Sequence, residues 1–188
     1  MKIIKIIIII IVVIVAALLL TAAFAPKEYA VSRSVTINAD KQEVFEYVRF
    51  LKNQDNYSVW SEMDPDMNKT FTGTDGTVGF TSAWSSDNKD VGKGEQEITG
   101  IIAGQRVEFE LRFMEPFEAT DMAYITTEPE GDATKTTWGF DGKMSYPMNL
   151  MLLFMNFDEV LGSDLQNGLE NLKEILEAPA AEEIKENI

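Results

Sequence analysis

The chain contains no cysteine and no histidine. The first absence excludes a disulfide framework, thiolate chemistry and Cys-ligated zinc. The second removes the usual general base at neutral pH and the usual transition-metal ligand. Any catalysis would fall to Asp, Glu, Tyr, Lys or bound water, and no cofactor or metal is implied. Positive charge is also scarce, with 16 Lys and Arg against 31 Asp and Glu and a net charge of -15. Such a surface repels nucleic-acid phosphate and anionic headgroups, so the folded part is not a nucleic-acid binder. What remains is 188 residues, room for one domain with a real core plus an appendage.

The appendage is residues 1–25. Lys2 and Lys5 precede an unbroken apolar stretch from Ile6 to Leu20, extended by Thr21 to Ala25. That is close to the roughly 20 residues a helix needs to cross a bilayer. A cleaved signal peptide would also show a charged start, an apolar centre and small residues such as Ala23-Phe24-Ala25. Pro26 directly after that site, and the length of the run, favour a retained anchor. Positive charge ahead of the span places the N-terminus in the cytoplasm and the domain outside, in the periplasm of a bacterium. Cleavage would instead release a secreted domain. Residues 26–28 form a linker, 29–177 the domain, and 178–188 an acidic tail expected to be disordered.

Alternation at Tyr29, Val31, Arg33, Val35 and Ile37 predicts a strand with Arg33 as its one polar intrusion on the apolar side. Asn38 or Asp40 caps a helix with Glu43 at the capping-box position, burying Val44, Phe45, Val48 and Leu51. A short second helix reaches Trp60 and stops at Asp64-Pro65. Six strands follow, separated by turn chemistry such as Gly73-Thr74-Asp75-Gly76, Asp87-Asn88-Lys89 and Glu130-Gly131-Asp132. The cleanest splits Val107, Phe109, Leu111 and Phe113 from Arg106, Glu108, Glu110 and Arg112. Met122, Tyr124 and Thr126 mark the next, and Thr136, Trp138, Phe140 and Met144 share a face of the last. Short turns pair successive strands antiparallel. Pro147 to Leu176 then reads as one long helix, its Met- and Phe-rich first half expected to be surrounded and its second half narrowed to a Leu stripe. The fold class is α+β, a curved antiparallel sheet of about seven strands around a long C-terminal helix, preceded by a transmembrane helix.

Several local patterns carry a family resemblance. They are Trp60 before Asp64-Pro65, Phe71-Thr72-Gly73 with Gly76-x-x-Gly79, Ala83-Trp84 with Gly92-x-Gly94, and Pro116-Phe117. Thr134-x-x-x-Trp138 and Gly168-Leu169-x-Asn171-Leu172-Lys173 complete the set. In order and spacing the domain resembles the helix-grip domains of the SRPBCC (START-like) superfamily, in particular its polyketide cyclase/dehydrase and lipid-transport branch. Asp40 stands where that family often has proline. The resemblance implies a cavity between the concave face of the sheet and the long helix; it brings no shared catalytic motif.

The aromatic set Trp60, Phe80, Trp84, Phe109, Phe113, Tyr124, Trp138 and Phe140, with Met151 and Met155 facing it, is the candidate lining of an apolar pocket. Plain core packing is the alternative, and the two merge where a core opens into a pocket. Arg33 could pair with an acidic ligand group or an internal Glu, but exposure at a strand edge explains it as well and is favoured. Glu95 with Glu97, and Glu108 with Glu110, could split their pKa values for acid–base work, but alternating charge fits the wet side of a sheet better. Asp64, Asp66 and Asn68 imitate a calcium loop that Lys69 breaks where glycine is required. Gly73, Gly76 and Gly79 precede no helix and cradle no phosphate.

The leading expectation is an anchored, outward-facing domain binding a hydrophobic small molecule or lipid, with the membrane as its second partner and its oligomeric state open. A cyclase or dehydratase using Tyr124 and an inward carboxylate is one alternative. An interaction module with a filled interior is another.

Overall fold

The computed structural model describes residues 2–178. Helix α1 (Lys2–Phe24) is long and apolar enough to cross a membrane, with a mean hydropathy of 3.6, though a signal sequence near an N-terminus has the same character. The chain then enters β1 (Glu28–Ile37), α2 (Lys41–Val48), a 3-10 turn (Leu51–Asn56) and α3 (Val59–Met63). Six strands follow: β2 (Asn68–Thr72), β3 (Thr81–Ser85), β4 (Lys93–Ile102), β5 (Arg106–Glu115), β6 (Ala119–Glu130) and β7 (Ala133–Lys143). They form one seven-stranded sheet in the order β1-β7-β6-β5-β4-β3-β2, every pairing antiparallel. Two register irregularities in the β4–β5 ladder, at Lys93/Gly94 and Ile98/Gly100, add the local bend and twist that bulges bring.

Local chemistry sets the connections. The Asp40 side chain accepts the Gln42 N–H at 2.8 Å and caps α2. The Asp75 carboxylate accepts from Leu51 N–H at 2.8 Å and Lys52 N–H at 3.2 Å, fixing the start of the 3-10 turn. Val44, Phe45 and Val48 of α2 are buried against one half of the sheet's inner face, with Ile98, Val107, Phe109 and Ile125 in the same core.

The expected single helix over 147–176 is divided. A 3-10 turn (Met148–Leu150) and a one-turn α4 (Met151–Phe154) precede α5 (Phe157–Glu177). Met155 between them is extended, at φ -107° and ψ 133°, and the Asn156 side chain accepts the Glu159 N–H at 3.3 Å as a fresh N-cap. A helix that starts anew at a capped Asn follows its own course, so the sheet grips only α5, through Leu165, Leu169 and Leu172. The apolar first half is not surrounded: Leu153, Phe154 and Met155 are exposed. Instead the turn before α4 docks on the end of α1. Buried Asn149 donates from Nδ2 to the carbonyls of Ala22 (2.7 Å), Ala25 (3.2 Å) and Pro26 (3.3 Å).

Arg33 stands on the edge strand β1 and is partly exposed, as expected, yet it is also engaged. Its guanidinium pairs with both carboxylate oxygens of Asp158 at 3.0 and 3.1 Å and donates to the Asp158 carbonyl at 2.6 Å, tying β1 to the first turn of α5. It fits because Gly162 leaves the space; a Cβ there would lie 2.1 Å from Nη2. On the outer face, Arg112 collects Glu95 (2.6 Å), Glu97 (2.8 Å) and Glu110, so the alternating acids belong to the wet side of the sheet. Their hydrogen bonds hold the Arg112 pKa above its ordinary value. The tail from residue 179 onward lies outside the described residues.

Candidate functional site: a half-hollow core

Antiparallel pairing sorts the loops to two ends. Lys27, the 116–118 turn, the 86–92 hairpin, the end of β7 and the start of α5 gather at the end where α1 meets β1. Here the inner face is hollow. A cavity of about 590 Å³ is lined by Gln96 of β4, Leu111 and Phe113 of β5, Asp121 and Ala123 of β6, and Trp138 and Phe140 of β7. Phe157, Val160, Leu161, Asp164 and Leu165 from the first turns of α5 form its roof, and Trp60, Ser61 and Met63 close a side. Further along each strand the inward residues Ile98, Val107, Phe109 and Ile125 are fully packed, because α2 covers that half. The core is therefore filled at one end and open at the other.

Of the residues expected to line a pocket, Trp60, Trp84, Phe113, Trp138 and Phe140 do line the cavity. Trp138 is the hub, its ring centroid 5.6 Å from that of Tyr57 and 6.0 Å from that of Trp60, both edge-on. Trp84 meets Phe113 edge-on at 6.0 Å. The other five lie elsewhere. Phe109 and Phe80 are packed in the filled half, Phe80 stacking on Phe71 at 6.1 Å. Met151 and Met155 belong to the segment that leaves the sheet at the helix break. Tyr124 is on the outer face under the Arg106 guanidinium, 3.9 Å from the ring centroid, folded over its cross-strand partner Gly139. Strand β6 is thus in the opposite phase: Asp121, Ala123, Ile125 and Thr127 point in. One residue of phase moves a whole side-chain set to the other face.

That phase brings in a carboxyl that sequence patterning missed. Asp121 is 6% exposed, with Oδ1 accepting the Lys143 N–H at 2.9 Å. Burial pushes its pKa up, opposed by that hydrogen bond. Tyr29 lies across Gly142, its cross-strand partner, where a Cβ would meet the phenol oxygen at 2.4 Å. Its ring contacts Phe157 at 4.9 Å between centroids. Burial, with the Asp121 charge adding, pushes the Tyr29 phenol up to about 12. From the roof, Asp164 is raised by burial as well. Lys69 near the side wall is already engaged with Asp55 and donates to Ser61 at 3.2 Å. The signal for Asp121 was present as a lone charge in phase with Ala123 and Ile125, but the larger Met122 and Tyr124 dominated the pattern.

This arrangement can enclose an apolar body, fix it with a few polar groups near the mouth, and exclude water from its deep end. Among the described residues, no cluster of three or more Asp or Glu is disposed to hold a metal ion.

No curated protein matches the chain. Solved structures do. Mll3558 from Rhizobium loti is 17% identical, with a TM-score of 0.57 over 78% of this chain and 95% of that one. TTHA0849 from Thermus thermophilus is 15% identical, with a TM-score of 0.56 over 79% and 97%. DynU16, from the dynemicin biosynthetic locus, is 17% identical, with a TM-score of 0.55 over 79% of this chain and 47% of its own. At these identities the likeness establishes the helix-grip fold. The family model for polyketide cyclase / dehydrase and lipid transport matches residues 29–177, and the chain belongs to that family.

Proposed function

We propose that the protein is a membrane-anchored binder of a hydrophobic small molecule or lipid, acting as a carrier, sensor or scavenger outside the cytoplasm. One observation carries this reading. An apolar cavity of about 590 Å³, within the range of small-molecule sites, opens at the end of the sheet where the apolar N-terminal helix joins. Its exposed lining residues, Met63, Phe117 and Val160, stand at that end. So do the exposed Leu153, Phe154 and Met155 of the segment docked beside α1. With α1 retained in a bilayer, the mouth is held near a source of apolar molecules. A ligand burying about 300 Å² of apolar surface there gains about 7 kcal/mol before ordering costs.

The test uses the full chain in nanodiscs with a headless alkyl diazirine as photoprobe. Labelling is expected on α1 and, separately, on the deep cavity residues Ala123, Trp138 and Leu165. Labelling confined to α1 overturns the reading. Proton-transfer catalysis of the cyclase or dehydratase kind is the second reading, and what supports it is the raised carboxyl of Asp121 beside Tyr29. Tyr124, on the outer face, takes no part in it.

A further inference from the structure

The cavity is apolar, yet its ionisable groups are strongly one-sided. Asp55, Asp90, Glu115, Asp121 and Asp164 line it, against Lys69 and Lys143. Lys69 is engaged with Asp55, and Lys143 sits in a loose, solvent-exposed pair with Glu28 at 3.7 Å. Among the described lining residues the exposed Lys143 is the one cation not held in a close pair, whereas acceptors are plentiful. Asp121 is the most deeply placed of these acids. It is 6% exposed, and its one hydrogen bond is from the Lys143 N–H to Oδ1, so Oδ2 has no partner among the described residues. Buried Gln96 lines the same space, 8% exposed, and its side-chain amide makes no hydrogen bond within the described residues. Both groups face the cavity rather than a protein partner, so a ligand that donates to Asp121 takes the place of solvent there.

We infer that the cavity selects a ligand with an alkyl or ring body and a hydrogen-bond-donating head group without negative charge, a hydroxyl or an ammonium, received by Asp121. The body extends from there past Phe140 toward Trp138 and Leu165. A free carboxylate or a phosphate head group is disfavoured, because it would meet Asp121 and Asp164, against which the lining offers only Lys69, paired with Asp55, and the exposed Lys143. Hydroxyl and ammonium share the donor chemistry and differ in charge. Separate probes distinguish them.

This inference rests on the cavity being a ligand site, and the experiment keeps the two apart. The full chain in zwitterionic nanodiscs is photolabelled at pH 7 with four diazirine probes of equal chain length: headless, alcohol, amine and carboxylate. Label on Ala123, Trp138 and Leu165 is normalised to label on α1 in the same sample, which removes differences in partitioning. The alcohol or the amine is expected to exceed the carboxylate by about tenfold or more. If Asp121 acts as a charge, Asp121→Asn brings amine and carboxylate to within about threefold of each other; Asp164→Asn, on the facing helix, narrows the gap partially. Deep labelling by the headless probe with the carboxylate equal to or above the others overturns the inference and leaves the binding function standing. Absence of deep labelling by all four overturns both.

Discussion

Gly168 of α5 lies directly beneath the indole of Trp138. A Cβ at 168 would come within 2.8 Å of Cζ3 and 3.3 Å of the Tyr57 carbonyl. The cavity wall, the filled core and the gripped helix meet at this contact. Alanine is the better helix former by about 1 kcal/mol, but overpacking costs about 1–3 kcal/mol. Gly168→Ala is therefore expected to destabilise the domain by up to about 2 kcal/mol, and Gly168→Val by more. Thermal unfolding followed by near-ultraviolet circular dichroism of the tryptophans measures it. A melting temperature at or above wild type would show that the indole has room to spare.

Asp121 gives a pH dependence with a defined sign. Burial raises its carboxyl in the folded state, so the folded chain holds that proton more tightly than the unfolded chain. Stability from this group falls as pH rises from the ordinary aspartate range through the raised value, and is flat above it. Asn at 121 keeps an oxygen for the Lys143 N–H and carries no charge. Asp121→Asn should be more stable than wild type at pH 7, with the difference fading below about pH 4. A constant difference across that range counts against the assignment.

The Arg33–Asp158 clamp acts locally. Both groups face solvent, so the pair contributes little to global stability. Its hydrogen bonds hold the Asp158 carboxyl below the usual range, a contribution present at neutral pH and lost as pH falls through the lowered value. Arg33→Ala should speed amide exchange over residues 158–162 several-fold while leaving the Leu169–Leu172 turn protected. Hydrogen exchange with mass spectrometry separates the two segments.

Asn149 ties α1 to the domain through three carbonyls. Asn149→Ala strips those acceptors of their buried donor, at about 1–3 kcal/mol of local stability. Tryptic cleavage after Lys27 should become several-fold faster in the full chain. An unchanged cleavage rate means that the joint is held by other contacts.

The position of the mouth is open to direct measurement because the chain lacks cysteine. Phe117→Cys carrying an environment-sensitive fluorophore should be quenched by chain-spin-labelled lipids in nanodiscs. Asp132→Cys, in the exposed turn between β6 and β7 at the opposite end, should not. Equal quenching at both sites removes the orientation argued for the mouth.

Much of this was legible in the residues. The faces of β5 and β7, the cap at Asp40 and the buried face of α2 followed from period and capping chemistry. The patterns carrying the family resemblance turn out to be contacting pairs: Trp60 with Trp138, Trp84 over Gly94, and Trp138 over Gly168. Three things were not legible, each for its own reason. The phase of β6 was hidden because its outer face carries the larger side chains, Met122 and Tyr124. The break at Met155–Asn156 was hidden because no proline or glycine marks it. Which end of the core stays open depends on where α2 lands, a long-range outcome that local pattern does not encode.

The unequal core has a dynamic consequence. Leu165, Leu169 and Leu172 are sealed in the core, whereas the turns from Phe157 to Asp164 roof the cavity and are held by Arg33, by Phe157 on Tyr29 and by Leu161. Lifting those turns breaks fewer apolar contacts than lifting the Leu165–Leu172 stretch, so opening there costs less than global unfolding. On the proposed binding function, ligand exchange would proceed by fraying of the helix's near end, with the rest of the rod staying seated as the hinge.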